Sequence, residues 1–135
     1  MKTHIAFLLA VVLIGAAVPV LSHHSFTAEY DGTKPVKVTG TVTKVEWTNP
    51  HIWFYVDVKD ENGNVTSWAF SAAPPGVLQR RGITKDVLKL GDVVKVDGFR
   101  ARAGSNNASG GTVTFADGRR VFTASAEDRV PNDKK

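Results

Sequence analysis

The chain has 135 residues, a formal net charge of +4 and no cysteine. That length supports one domain with a modest core. The absence of thiols excludes disulfides, thiolate catalysis, Cys-ligated zinc, iron–sulfur clusters and c-type haem attachment, and the mild, scattered positive charge reads as a solvated surface rather than a nucleic-acid patch.

Residues 1–22 read as a secretory signal peptide. Lys2 supplies the positive start, Ile5 to Ile14 is an unbroken apolar run, and Pro19 to Ser22 closes it with a helix breaker and a small final residue. The run is short for a membrane span, and no second hydrophobic stretch follows, so no transmembrane segment is expected after cleavage. Ser22 at −1 and Val20 at −3 favour a cut after Ser22; a cut one residue earlier would leave Leu21 at −1, a poor cleavage residue. An uncleaved anchor is the plainer alternative. An exported domain held by its core instead of by disulfides fits a bacterial periplasm.

Residues 23–35 form a leader segment with Phe26, Tyr30 and a turn at Asp31-Gly32. The domain proper spans 36–125. "VKVTGTVTKVEW" (36–47) is β-branched and alternating, but its apolar phase switches between Val42 and Val45. A strand that changes face midway needs a bulge, at Gly40 or at Thr43-Lys44. "HIWFYVDVK" (51–59) alternates cleanly, with Ile52, Phe54, Val56 and Val58 on the core side and His51, Trp53, Tyr55 and Asp57 on the other. Asn62-Gly63 signals a hairpin into a third strand, "VTSWAF" (65–70). "PGVLQRRG" reads as a short helix with Pro75 in its first turn and Gly82 as its stop. "TKDVLKLGD" suggests a further helical turn ending at Gly91. "DVVKVDGFRAR" (92–102) is a fourth strand with an irregularity at Gly98. "AGSNNASGG" (103–111) reads as a flexible polar loop. "TVTFADGRRVFTAS" (112–125) is a hairpin about Asp117-Gly118, and 126–135 is a charged, frayed tail. Trp47, Trp68, Phe70, Phe99, Phe115 and Phe122 are assigned to the core or the barrel ends.

Three meandering strands, a short helix and two or three further strands give an all-β class. The arrangement is that of a small OB-like Greek-key barrel of five to six strands, with an up-and-down barrel or small sandwich as the competing architecture. The stretches "HHSF", "GTVTKVEWTNPHIWFYVDVKDENG", "WAF", "RRG", "LKLGDVVKVDGFRA" and "DGRRVF" resemble a family of small exported bacterial proteins of unknown function with an OB-like barrel. The resemblance covers nearly all of residues 23–135. It implies signature positions at His23-His24 and at Trp47-Thr48-Asn49-Pro50-His51, a variable insert at "GSNNASGG", and no particular activity. More distantly, the glycine and tryptophan spacing is similar to exported OB proteins, a periplasmic haem chaperone and nucleic-acid binders, and such a fold does not choose among their functions.

Two constellations could carry chemistry. After a cut at Ser22, His23 would present a free α-amine beside its own imidazole, a chelating pair suited to copper(II), and His24 or His51 could add a third nitrogen. This resembles the N-terminal-histidine copper sites of some periplasmic copper carriers and oxidative polysaccharide-cleaving enzymes, in ligand type only. Against it, an exposed His-His pair binds copper incidentally, and His51 could cap its turn or pair with Asp57. The second is a ligand platform of Trp53, Tyr55, Arg100 and Arg102 on the strand-two face, a usual ligand face of OB barrels, here for an oligosaccharide, a lipid headgroup or another envelope protein. Against that, Phe26 and Tyr30 could fold back over Trp53 and Tyr55 as a second small core. No catalytic motif stands out: there is no Gly-x-Ser-x-Gly, no P-loop and no locally spaced metal triad. The expectation is a non-enzymatic, exported binding or accessory protein, with copper(II) as the sharpest ligand.

Overall fold

A computed structural model describes residues 26–124. The signal peptide expected over 1–22, His23 and His24, and the tail at 126–135 lie outside the described residues. A four-residue helix, α1 (Phe26–Glu29), leads into β1 (Tyr30–Glu46). There follow β2 (Trp53–Lys59), β3 (Val65–Ser71), α2 (Pro75–Arg80), β4 (Val93–Ala101), β5 (Asn107–Phe115) and β6 (Arg120–Phe122).

The strands run β3-β2-β1-β4-β5-β6 by antiparallel pairing, and a parallel contact between β3 and β5 closes the ring. The circuit β1-β2-β3-β5-β4-β1, with a helix between β3 and β4, is the OB arrangement. β1 makes this possible because it is long enough to pair with both halves. Its first part lies against β4 and its second against β2, from Val42↔Val56 to Glu46↔Trp53. Between Val42 and Lys44 the register slips by one residue, so Thr43 is the bulge that the phase switch demanded. Val42 and Val45 thereby both face inward, while Lys44 and Glu46 turn outward.

The interior is filled by the alternate residues of every strand. Phe54, Val56, Phe70, Val96, Ala108 and Val113 are all at most 1% exposed. Phe54 and Phe70 stack at 5.3 Å between centroids, and Leu78 of α2 joins the same core. Each of the Phe, Val and Leu side chains among them, fully buried, contributes about 1.5–3 kcal/mol relative to exposure. Pro75 starts α2 and Gly82, at φ 77°, lets the chain turn out of it.

Four expectations need correction. β1 begins at Tyr30, not Val36: Asp31-Gly32 and Pro35 read as breakers, but the strand absorbs them as a register irregularity, with the Asp31 carboxylate accepting the Thr33 N–H at 3.0 Å. The segment 84–92 is a pair of hydrogen-bonded turns, not a helical turn, with Val87 N–H on Thr84 O and Asp92 N–H on Lys89 O. "AGSNNASGG" is no flexible loop beyond residue 106. Asn107 to Gly111 are strand, and Ala108, Ser109 and Gly110 are buried. Their small size is what closure requires: a Cβ on Gly98 would fall 1.7 Å from the Ser109 carbonyl oxygen, and one on Gly110 would fall 2.9 Å from the Phe54 ring. Phe122, finally, is not a core residue; it is 45% exposed beneath the Arg81 guanidinium.

Candidate functional site

Directly paired strand residues put their side chains on one face, so the register maps the outside of the barrel. One outward-pointing row runs Glu46 (β1), Trp53 (β2), Ser71 (β3), Ser109 (β5) and Phe99 (β4), of which Ser71 and Ser109 are nonetheless buried. The next runs Lys44, Tyr55, Ala69 and Asn107. Trp53 and Tyr55 therefore stand side by side on the outer surface of β2, both half-buried. On the β3 side their neighbours are small, Ala69 and Ser71. On the β1 side stand Lys44 and Glu46, turned outward by the Thr43 bulge.

Three of these groups, Lys44, Glu46 and Tyr55, form one network. The Tyr55 hydroxyl donates to Glu46 Oε2 at 3.0 Å, and Lys44 Nζ lies 2.6 Å from Glu46 Oε1. The Lys44 ammonium also sits 5.2 Å from the Tyr55 ring centre. The Lys44 hydrogen bond, then that of Tyr55, holds the Glu46 carboxyl below the ordinary glutamate value. The same contact with Glu46 raises the Lys44 ammonium. Partial burial, reinforced by Glu46, raises the Tyr55 phenol. The Tyr55 ring is thus held in orientation by a charge-assisted bond to Glu46. Reading the sequence missed Lys44 and Glu46 as partners; the phase switch at the bulge was the signal that moved them to this face.

Arg100 and Arg102 do not join this group. Arg100 pairs across β4–β5 with inward-facing Ala108, and its guanidinium lies 5.3 Å from the ring centre of Trp68, which stacks on Phe70 at a barrel end. Arg102 Nε donates to the Thr27 carbonyl at 2.8 Å and fastens α1 to the barrel. Phe26 and Tyr30 fold back onto the barrel and are both buried, as a small cluster beside β4. They cluster with each other, and Phe26 meets Phe99 of β4 edge-on at 5.7 Å.

His51 is exposed at the entry to β2, after a cis Asn49-Pro50 bond. Its Nδ1 lies 3.1 Å from the Ala72 carbonyl oxygen. With the proton on Nδ1 this is a hydrogen bond, and the lone pair is left on Nε2, the tautomer a ligating imidazole uses. The partner is Ala72 rather than Asp57, which lies six residues along and pairs with Thr41 and Ser67. Among the described residues no group of three or more His, Asp or Glu side chains is gathered to hold a metal ion. His23 and His24, the heart of the copper expectation, lie outside those residues.

The fold and this outer face define a small all-β, OB-like barrel that carries two adjacent aromatic residues on its second strand. The chain belongs to a family of unknown function (DUF6152), whose model matches residues 10–111. The match takes in the His-His pair, the Trp47 to His51 turn and the barrel through the closing glycines. No curated protein matches the sequence.

Proposed function

We propose that this is an exported, periplasmic binding protein, and that its ligand is a neutral oligosaccharide held on Trp53 and Tyr55. The observation that carries the reading is the pair's placement: two adjacent rings pointing outward from β2, beside small β3 residues, with Tyr55 held by Glu46 and Lys44. Flat rings with carboxylate and hydroxyl groups beside them suit a sugar, whose C–H face stacks and whose hydroxyls donate. Glu46 and Asp57 on the same face disfavour a polyanion such as nucleic acid. The test is titration of the protein with cellohexaose, maltohexaose and chitohexaose in turn. Binding to one of them, lost in Trp53→Ala, supports the platform; no binding to any, or binding unchanged by Trp53→Ala, removes it.

A second reading rests on the sequence. Among residues 23–135 the only histidines are His23, His24 and His51, and two stand at the expected mature start. In this reading His23 chelates copper(II) through its α-amine and imidazole, with His24 or the Nε2 of His51 adding a further nitrogen. Intact mass fixes the first residue of the exported protein, and copper(II) titration then follows. Tight one-to-one binding, abolished by His23→Ala or by acetylating the amine, is the expected result. Weak binding matched by a free His-His peptide would make the pair incidental.

A further inference from the structure

A different surface of the barrel presents an apolar residue among lysines. Leu90 is 68% exposed and Val93 is 52% exposed, the two lying three residues apart where the turn enters β4. Leu90 sits at a turn that the backbone holds rigidly. Gly91 N–H donates to Val42 O at 2.8 Å, Val42 N–H donates to Asp92 O at 2.9 Å, and the Asp92 carboxylate takes the Lys89 N–H at 2.8 Å. Gly91 adopts φ 90°, which keeps the turn tight. The exposure of Leu90 is therefore built in.

Beside it runs a cleft of about 380 Å³ between the β1 bulge and this turn, with Val45 and Leu88 among its apolar lining and Lys44, Lys85, Lys89 and Asp86 as its charges. Lys44 is committed to Glu46. Lys85 and Lys89 form no ion pair among the described residues, and both are exposed. A fixed apolar tip with free ammonium groups around it matches the chemistry of a phospholipid surface, where an apolar side chain enters the acyl boundary and the cations meet the phosphates. The chain's net charge of +4 acts in the same direction.

We propose that Leu90, Val93, Lys85 and Lys89 form a docking surface for a bilayer bearing anionic phospholipid. No described helix is long and apolar enough to cross a membrane, and the proposed contact is with the bilayer surface. It would hold the barrel at the membrane and leave the β2 face free. It does not depend on the oligosaccharide reading, since the two surfaces share only Lys44.

The test is co-sedimentation of the full protein with vesicles of phosphatidylcholine alone and of phosphatidylcholine mixed with phosphatidylglycerol. The readout is the ratio of the two partition coefficients, which an apolar N-terminal run would leave unchanged. The mixed vesicles should be preferred, and the preference should fade at high salt. Lys85→Gln with Lys89→Gln should lower partition to the mixed vesicles roughly thirtyfold, taking about fivefold per lysine at a negative surface. Leu90→Ala should lower partition of the barrel to the mixed vesicles about tenfold. All three positions are exposed, so the variants keep the fold. A ratio near one, or a ratio that the lysine changes leave alone, overturns the proposal. So does perturbation of Lys85 and Lys89 by inorganic phosphate without any vesicle preference.

Discussion

Replacing Gly98 by alanine tests barrel closure at its tightest point. The added methyl would lie 1.7 Å from the Ser109 carbonyl oxygen and 2.9 Å from its carbon, both backbone atoms that no rotamer change can move aside. An ordinary C···O contact is about 3.3 Å, so β4 and β5 would have to part by about 1.6 Å. That opening strains the Phe99 N–H bond to Ser109 Oγ, now 3.1 Å, and the Gly98–Gly110 pairing beside it. Overpacking of this kind costs about 1–3 kcal/mol, and a weakened hydrogen bond adds about 1 kcal/mol. A loss of about 3 kcal/mol in a domain of this size lowers the melting temperature by about 12–24 °C. Gly76→Ala is the control: its methyl would meet only the end of Arg80, at 3.5 Å, and it lies in α2 at an ordinary φ. Alanine there should be neutral or raise stability by up to about 1 kcal/mol. The assay is thermal unfolding by circular dichroism of both variants. A Gly98→Ala protein that melts within a degree or two of the parent would refute the claim that β4 and β5 meet at these glycines.

Leu78→Ala should cost about 2–5 kcal/mol, because the side chain is 2% exposed and is the one fully buried residue of α2, with Val77 packing only in part; urea unfolding measures it, and a change below about 1 kcal/mol would mean that α2 does not seal the barrel. The Glu46 carboxyl, followed by carbon NMR, should titrate below the ordinary glutamate value, and Lys44→Met should move it up more than Tyr55→Phe does. Because the folded-state value is depressed, the stabilising contribution of Glu46 is complete above the ordinary glutamate range. It fades as pH falls through the lowered value. For Lys44, raised by the same contact, the contribution is complete at neutral pH and fades only as alkaline pH passes its raised value. An unshifted Glu46 titration would break the network that orients Tyr55.

Much of the barrel was legible in the residues. The residues from Ile52 to Val58 alternate without exception, and the structure buries Ile52, Phe54 and Val56 and half-buries Val58 on the side that alternation selects. The phase switch in β1 located its bulge, and Gly98 marked the irregularity in β4. What stayed hidden was long-range. Asn107 to Gly111 look like a loop because glycine, serine and asparagine favour turns locally. Only closure against β3 and β4, where a larger side chain would collide, makes them strand. Asp31-Gly32 and Pro35 likewise signal a break that the pairing with β4 overrides.

The outer face was half legible. Period-two alternation put Trp53 and Tyr55 together and away from the core. It could not show that Arg100 belongs to the barrel end with Trp68, because the parity of β4 relative to β2 is fixed only when the ring closes. Nor could it show that Lys44 and Glu46 clamp Tyr55, since one bulged residue decides which way they point.

The most direct test of the proposed oligosaccharide face is nitrogen–proton NMR of the three tryptophan indoles, with Trp53 assigned by its loss in Trp53→Phe. On addition of the hexasaccharides, the Trp53 indole signal should shift in a saturable way with one of them, while that of Trp68, stacked on Phe70 and covered by Arg100, stays in place. An unmoved Trp53 signal with all three sugars, or a response at Trp68 instead, would contradict a ligand site on the β2 face.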